Sequence, residues 1–218
     1  MHHLRVRHAG VRAPLGTHLN MAGHLTPITL EGDQVRMAPL SMEHLDGLCA
    51  VGLDPDLWRW IPVQVLDRQG MRAYVELALD EQRRGLSLPF ATTFKATGQV
   101  VGCTRYMNID LRNRRVEIGA TWIGRPWHRS AVNTEAKYLM LRHAFEVLRC
   151  ARVELKTDAL NERSRNAIGR LGAKQEGILR RHVLTDSGRM RDTVYFSILD
   201  DEWPGIKSRL EGRLSSSS

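Results

Sequence analysis

Between positions 34 and 200 the apolar residues switch repeatedly between two spacings, every second position and every third or fourth. A period of two marks a strand with one face buried, and a period near 3.6 marks an amphipathic helix. Gln34–Leu40 reads as a first strand, and Ser41 is placed to cap a helix running to about Leu53. A loop with Pro55, Trp58, Trp60 and Pro62 leads to a second helix near Asp67–Arg84, where Met71, Tyr74, Val75, Ala78 and Leu79 recur at helical spacing. Phe90–Lys95 and Val100–Asn108 flank an Ala-Thr-Gly turn and predict a hairpin, and Val116–Ile123 is the next strand.

A long amphipathic helix follows. Ala136, Leu139, Met140, Ala144, Val147 and Leu148 form one stripe, and Lys137, Arg142, Glu146 and Arg149 form an opposite, polar one. Arg152–Asp158 alternates cleanly as a half-buried strand. Asn161 then caps a short helix that Gly172 can end in a left-handed conformation. Gly177–Leu184 and Thr193–Leu199 flank Asp186-Ser187-Gly188 as a last antiparallel pair, with Trp203 anchoring its end in the core. The order βααβββαβαββ predicts an α/β (α+β) domain over residues 25–214, a largely antiparallel mixed sheet flanked by helices. Residues 1–24, with five of the nine histidines and no sustained periodicity, read as a disordered lead-in, and Ser215–Ser218 as a solvated tail.

Composition narrows the class. With 42% hydrophobic and 26% charged residues the chain is an ordinary globular protein. It has no apolar run long enough to span a bilayer and no signal-peptide core, so a cytoplasmic location is expected. Cys49, Cys103 and Cys150 are scattered singly, and His143 and His182 have no partner spacing, so no metal site is expected. The formal charge of +8 rests almost wholly on arginine, since lysine occupies only five positions. Such a surface suits anions: cofactor phosphates, an acidic partner or, as a weaker alternative without a recognised module, nucleic acid.

Candidate chemistry concentrates where Val116–Ile123 hands over to the long helix. His128 and Arg129 precede that helix, and its start carries no carboxylate until Glu135. Free N–H groups and the dipole at a helix start attract phosphate. Ser164 shares the stripe of Ala167, Ile168 and Leu171, where a hydroxyl must find a partner or face a cavity.

These segments together resemble the GCN5-related N-acetyltransferase (GNAT) superfamily, and within it the branch of ribosomal-protein N-terminal acetyltransferases of the RimJ/RimL kind. Three places carry the resemblance: Glu117-Ile118-Gly119 ahead of Trp127 to Ala136, Asn161 to Gly172, and Ile198 to Trp203, within residues 33–210. It implies an acyl-CoA-dependent N-acyltransferase in which an amine of a protein or small molecule attacks the thioester directly. Acetyl-CoA is the default donor, and the arginines leave succinyl-CoA open. A homodimer is common in that branch. A non-catalytic acyl-CoA-binding module is the competing interpretation.

The resemblance also assigns residues. Arg129, Ser130, Ala131, Val132, Asn133 and Thr134 stand where the family's glycine-rich diphosphate loop lies, although none of them is glycine. Alanine is the next smallest choice, and asparagine tolerates the left-handed region. His128 is placed beside a phosphate. Trp122, Ile123 and Gly124 would present N–H groups to the thioester carbonyl, Asn161 would contact the pantetheine arm, and Ser164 would assist the departing thiolate. Glu117 is the candidate base, with pairing to Arg114 or Arg115 as its alternative. Trp58, Trp60, Tyr106 and Asn108 are candidate walls of the acceptor site, although for the aromatics core packing is an equal alternative.

Overall fold

The computed structural model describes residues 19–20 and 23–216. Eight strands form one sheet: β1 (Leu30–Glu31), β2 (Val35–Pro39), β3 (Ser87–Phe94), β4 (Gln99–Asp110), β5 (Arg115–Ile123), β6 (Arg152–Asp158), β7 (Lys174–Leu184) and β8 (Met190–Leu199). Their spatial order is β1-β2-β3-β4-β5-β6-β8-β7, antiparallel throughout except between β5 and β6. The helices are α1 (Leu45–Gly52), α2 (Pro55–Trp58), α3 (Arg68–Arg83), α4 (Ala131–Arg142), α5 (Glu162–Leu171) and α6 (Trp203–Ser215).

A parallel pair cannot be closed by a hairpin and needs a crossover, which α4 supplies between β5 and β6. The crossover starts α4 at the end of β5, so its free N–H groups lie at the mouth of the parallel pair. Two cores cover the sheet. Val153 and Leu155 of β6 and Ile118 of β5 share one core with α4, α5 and α6. Cys103 of β4 and Trp122 of β5 pack in the other with Leu45 and Leu48 of α1, Trp58 of α2, and Met71, Tyr74 and Val75 of α3.

The helix ends follow local chemistry. Asp67 Oδ1 accepts from Gly70 N at 2.7 Å to start α3. Asn161 Oδ1 accepts from Ser164 N at 3.0 Å to start α5. Gly172 ends α5 at φ 104, where a side chain would also strike Ile206 and Arg209 of α6.

Three expectations need correction. Trp203 does not end a strand. It opens α6, stacking on Phe145 at 5.4 Å and donating from Nε1 to Glu146 Oε1 at 2.9 Å. Pro204 and Gly205 hide this helix in the sequence, yet proline suits a first turn, where its missing N–H costs nothing. α4 is buried from Glu135 to Leu141, with α6 against Tyr138 on its outer side, and Lys137 faces the sheet at Thr104 and Thr121 and is not on a solvent stripe. The short β1, pairing Leu30 with Met37, adds a strand that the spacing does not predict.

Within the expected lead-in, Leu19 bridges Leu25, and Asn20 Oδ1 accepts from His24 N at 3.0 Å. The rest of that segment, residues 1–18 and 21–22, lies outside the described residues, as do 217–218 of the serine tail. Among the described residues no helix is long and apolar enough to cross a membrane, and no group of three or more His, Cys, Asp or Glu side chains could hold a metal.

Candidate active site between two parallel strands

β5 and β6 pair only over Arg115–Glu117 and Arg152–Glu154, and beyond Glu117 they separate. The separation leaves a slot between Ile118–Ile123 and Leu155–Asp158. β5 is bulged there: its register against β4 shifts between Cys103 and Arg105, and Ala120 takes φ 47. A non-glycine residue in that region is strained, and such strain gathers at functional sites.

The backbone of β5 is not equally available along the slot. Gly124 N donates to Val101 O of β4 at 2.7 Å. By strand alternation Trp122 also turns its backbone toward β4, and Ile123 alone of the three turns its amide to the slot. The trio expected from the sequence therefore reduces to Ile123. The Trp122 side chain lies in the core on the far side, 5.5 Å from the Trp58 ring.

His128 straps the slot mouth. Its Nε2 meets Ile123 O at 2.8 Å and its Nδ1 meets Arg163 at 3.2 Å. Partial burial, then the nearby Arg163 and Arg125 charges, hold its pKa below the usual imidazole range despite the bond to Ile123. A neutral ring donating from Nε2 and accepting at Nδ1 satisfies both contacts. Arg125 ties the same loop to the start of α2 through Asp54 and Asp56, each at 2.8 Å.

At the start of α4, Arg129 adopts φ 65, taking the left-handed conformation that glycine would supply. Ser130 Oγ donates to Trp127 O at 2.7 Å and accepts from Val132 N at 3.3 Å. The N–H groups of Ala131 and Asn133 find no acceptor among the described residues. Asn133 Oδ1 is buried without a partner. The Val132 side chain is core. Glu135, the first acid of α4, turns away and accepts from the backbone N–H groups of Asp33, Gln34 and Val35 at 2.8, 2.9 and 2.7 Å. Among the described residues no negative charge offsets the helix start, so the free amides of Ala131 and Asn133 together with Arg129 fit a diphosphate.

Ser164, one turn into α5, is half-buried, and its hydroxyl has no partner among the described residues. Asn161 Oδ1 is engaged in the cap, at Ser164 N, and its Nδ2 is not.

The opposite face of the sheet holds a cleft of about 770 Å³ lined by Asn108, Asp110, Arg115, Glu154, Lys156 and Tyr195, among others. Glu117 borders it at the point where β5 and β6 part. Its Oε2 accepts from Asn108 Nδ2 at 2.6 Å and from Lys156 Nζ at 2.7 Å, not from Arg114 or Arg115. Lys156 also reaches Glu154 at 3.4 Å and lies 4.3 Å from the Tyr195 ring centre. Burial pulls the Lys156 pKa down, but Glu117 and Tyr195 more than offset it and the net shift is upward.

Of the four expected acceptor walls, only Asn108 lines this cleft. Trp58 is core, donating from Nε1 to Gly52 O at 2.7 Å. Tyr106 is core, donating to Met140 O at 2.6 Å. Trp60 is half-buried between Arg59, at 4.8 Å, and Arg189, at 5.6 Å. Sequence reasoning missed Lys156, whose alternation on β6 with Glu154 and Asp158 places it on the polar face, and Lys137, which carries no sequence signal beyond the scarcity of lysine.

Comparison with known proteins adds a family. The profile described as "Acetyltransferase (GNAT) domain" matches residues 34–174. The chain is 27% identical over 178 residues to the uncharacterized N-acetyltransferase p20 of Bacillus licheniformis, covering 81% of this chain and 99% of that one. It is 34% identical over 110 residues to YdaF of Bacillus subtilis (strain 168), provisionally named a ribosomal N-acetyltransferase, covering 50% and 59%. A crystal structure from T. thermophilus, provisionally titled an acetyltransferase, superposes with TM-score 0.80 at 38% identity, covering 87% of this chain and 98% of that one.

Proposed function

The chain belongs to the GNAT acetyltransferase family, and from that premise we propose that it transfers an acetyl group from acetyl-CoA to a primary amine, with a protein N-terminus as the acceptor. The observation that carries this is the slot between β5 and β6 opening beside unpaired amides at the start of α4. The bound donor supplies a thioester carbon as electrophile. Ala131 and Asn133 N–H, with Arg129, hold the diphosphate end. Ile123 N–H polarises the carbonyl from the edge of β5. Ser164 Oγ, free of protein partners, donates to the sulfur side. Glu117 stands on the opposite face, where Asn108 and Lys156 hold its carboxylate to receive or orient the amine.

The protein acceptor is supported by the name of YdaF and by the open cleft, wide enough for a chain end. A succinyl donor has one specific support, Arg191 Nε, which is buried without a partner on the Glu117 side of the sheet.

Thermal-shift titration with acetyl-, succinyl- and free CoA tests the reading, because a ligand of the folded state raises the melting temperature with the logarithm of its concentration. Acetyl-CoA is expected to stabilise at least as strongly as the others. A larger shift with succinyl-CoA would reassign the donor, and no shift with any would remove the reading. Ser164→Ala is expected to slow CoA release with amine acceptors about tenfold to a hundredfold while leaving the acetyl-CoA shift unchanged. Full turnover in that variant would take Ser164 out of the mechanism.

A further inference from the structure

Behind the slot, on the face opposite Glu117, lies a lysine with no counter-charge. Lys137 of α4 is 5% exposed, and its Nζ contacts Thr104 Oγ1 of β4 at 3.3 Å and Thr121 Oγ1 of β5. Those are the groups that face it from the two strands; no ionisable side chain among the described residues pairs with it. Burial alone brings its pKa down to about 7, with no charged neighbour contributing. A buried ammonium without a carboxylate is costly, so the position calls for an explanation beyond packing.

Hydrogen-bond accounting shows where the charge is directed. The two threonine oxygens are 2.7 Å apart. An ammonium only donates, so it occupies a lone pair on each hydroxyl. Thr104 Oγ1 can also donate to Gly119 O at 3.4 Å, to Met140 Sδ at 3.8 Å or, at the shortest distance, to Thr121. The 2.7 Å contact can run either way; with Thr104 as its donor, the Thr121 hydroxyl has one proton left over, and its remaining protein acceptor among the described residues is Gly119 O at a long 3.4 Å. Thr121 sits beside the Ala120 bulge, where β5 has no β6 partner, and it is half-buried while Thr104 and Lys137 are buried.

We propose that Lys137 is a positioning residue for the leaving group: its buried positive charge, relayed through the Thr121 hydroxyl, turns a hydrogen-bond donor into the slot and favours the CoA sulfur as thiolate. The inference rests on the acyl-CoA reading of the slot. It concerns charge at sulfur and requires no bond to Lys137; thiolate and ammonium stabilise each other, so the two titrate as a pair and Lys137 stays protonated in the complex at a pH where burial alone would discharge it.

Ultraviolet titration of reduced CoA bound to the full chain tests it, reading the thiolate band. The protein's own thiols stay out of the way, since burial raises the pKa of Cys49 and Cys103 and pushes Cys150 up to about 12. In wild type the bound thiol is expected to titrate at least about one unit below the usual thiol value of about 8.5. Thr121→Val and Lys137→Met are each expected to return it to the value of free CoA. Thr121→Val keeps Lys137 in place and serves if Lys137→Met does not fold. Acetyl-CoA, which has no thiol, is expected to bind Thr121→Val as tightly as wild type, an outcome that a purely structural role would not give. An undepressed thiol in wild type, or a depression that survives Thr121→Val with CoA bound, overturns the inference and leaves the acyl-CoA reading standing. Failure of CoA to bind wild type sinks both.

Discussion

Two lysines lie on opposite faces of the sheet beside the slot, and they differ in company more than in depth. Lys156 has Glu117 at 2.7 Å, Glu154 at 3.4 Å and an aromatic face above it, and its pKa is raised. Lys137 has two hydroxyls and a pKa brought down to about 7. Burial opposes charge in both, and carboxylates reverse the outcome in one. The face toward the cleft thus keeps a fixed ion pair, and the face toward α4 keeps a lysine that titrates near neutral pH.

The largest effect is expected from breaking the paired side. Lys156→Met leaves Glu117 buried with Asn108 alone, and chemical denaturation should show a loss of about 3–5 kcal/mol. Adding Glu117→Gln to that variant should recover more than half of the loss, because the uncompensated charge is gone. A small loss in the single variant would mean that the pair is solvated and that the contrast fails.

The unpaired side predicts a pH dependence of opposite origin. The Lys137 pKa is depressed in the folded state, so between about pH 7 and the unfolded value of about 10.4 the unfolded chain binds more protons. Its burial penalty is therefore greatest below pH 7 and is relieved as pH rises. The contribution of Lys137 to unfolding free energy should climb by up to about 1.4 kcal/mol per pH unit in that window. Subtracting the Lys137→Met curve from the wild-type curve isolates it, and a flat difference would contradict the assignment.

Arg129 is expected to show the smallest effect of the three. Arg129→Ala should weaken acetyl-CoA about tenfold, worth roughly 1.4 kcal/mol, and flatten the salt dependence of binding. An unchanged salt dependence would take Arg129 out of the diphosphate site.

The outline of the fold was legible because strand alternation and helical spacing are local. Arg152–Asp158 and the Asn161 and Gly172 caps fall where the pattern puts them. What escaped was non-local. A Trp-Pro-Gly start disguises α6, and the Thr104–Thr121 pair that receives Lys137 exists only once β4 and β5 are paired, so spacing alone assigns Lys137 to the surface. For the same reason Tyr106 and Trp58 are not separable from cleft residues: an aromatic on a strand or in a loop reads alike until the packing is known. Glu117 was legible as a carboxylate at the slot, but its partner on the neighbouring strand was not, since a parallel register cannot be read from spacing.

The diphosphate site is the claim on which the rest stands, and amide resonances test it most directly. Adding acetyl-CoA to labelled protein should shift and protect the amide protons of Ala131 and Asn133, with the Ile123 amide following. S-acetylpantetheine, which lacks the diphosphate, should leave the first two where they were. Saturable acetyl-CoA binding with Ala131 and Asn133 unmoved would contradict the account.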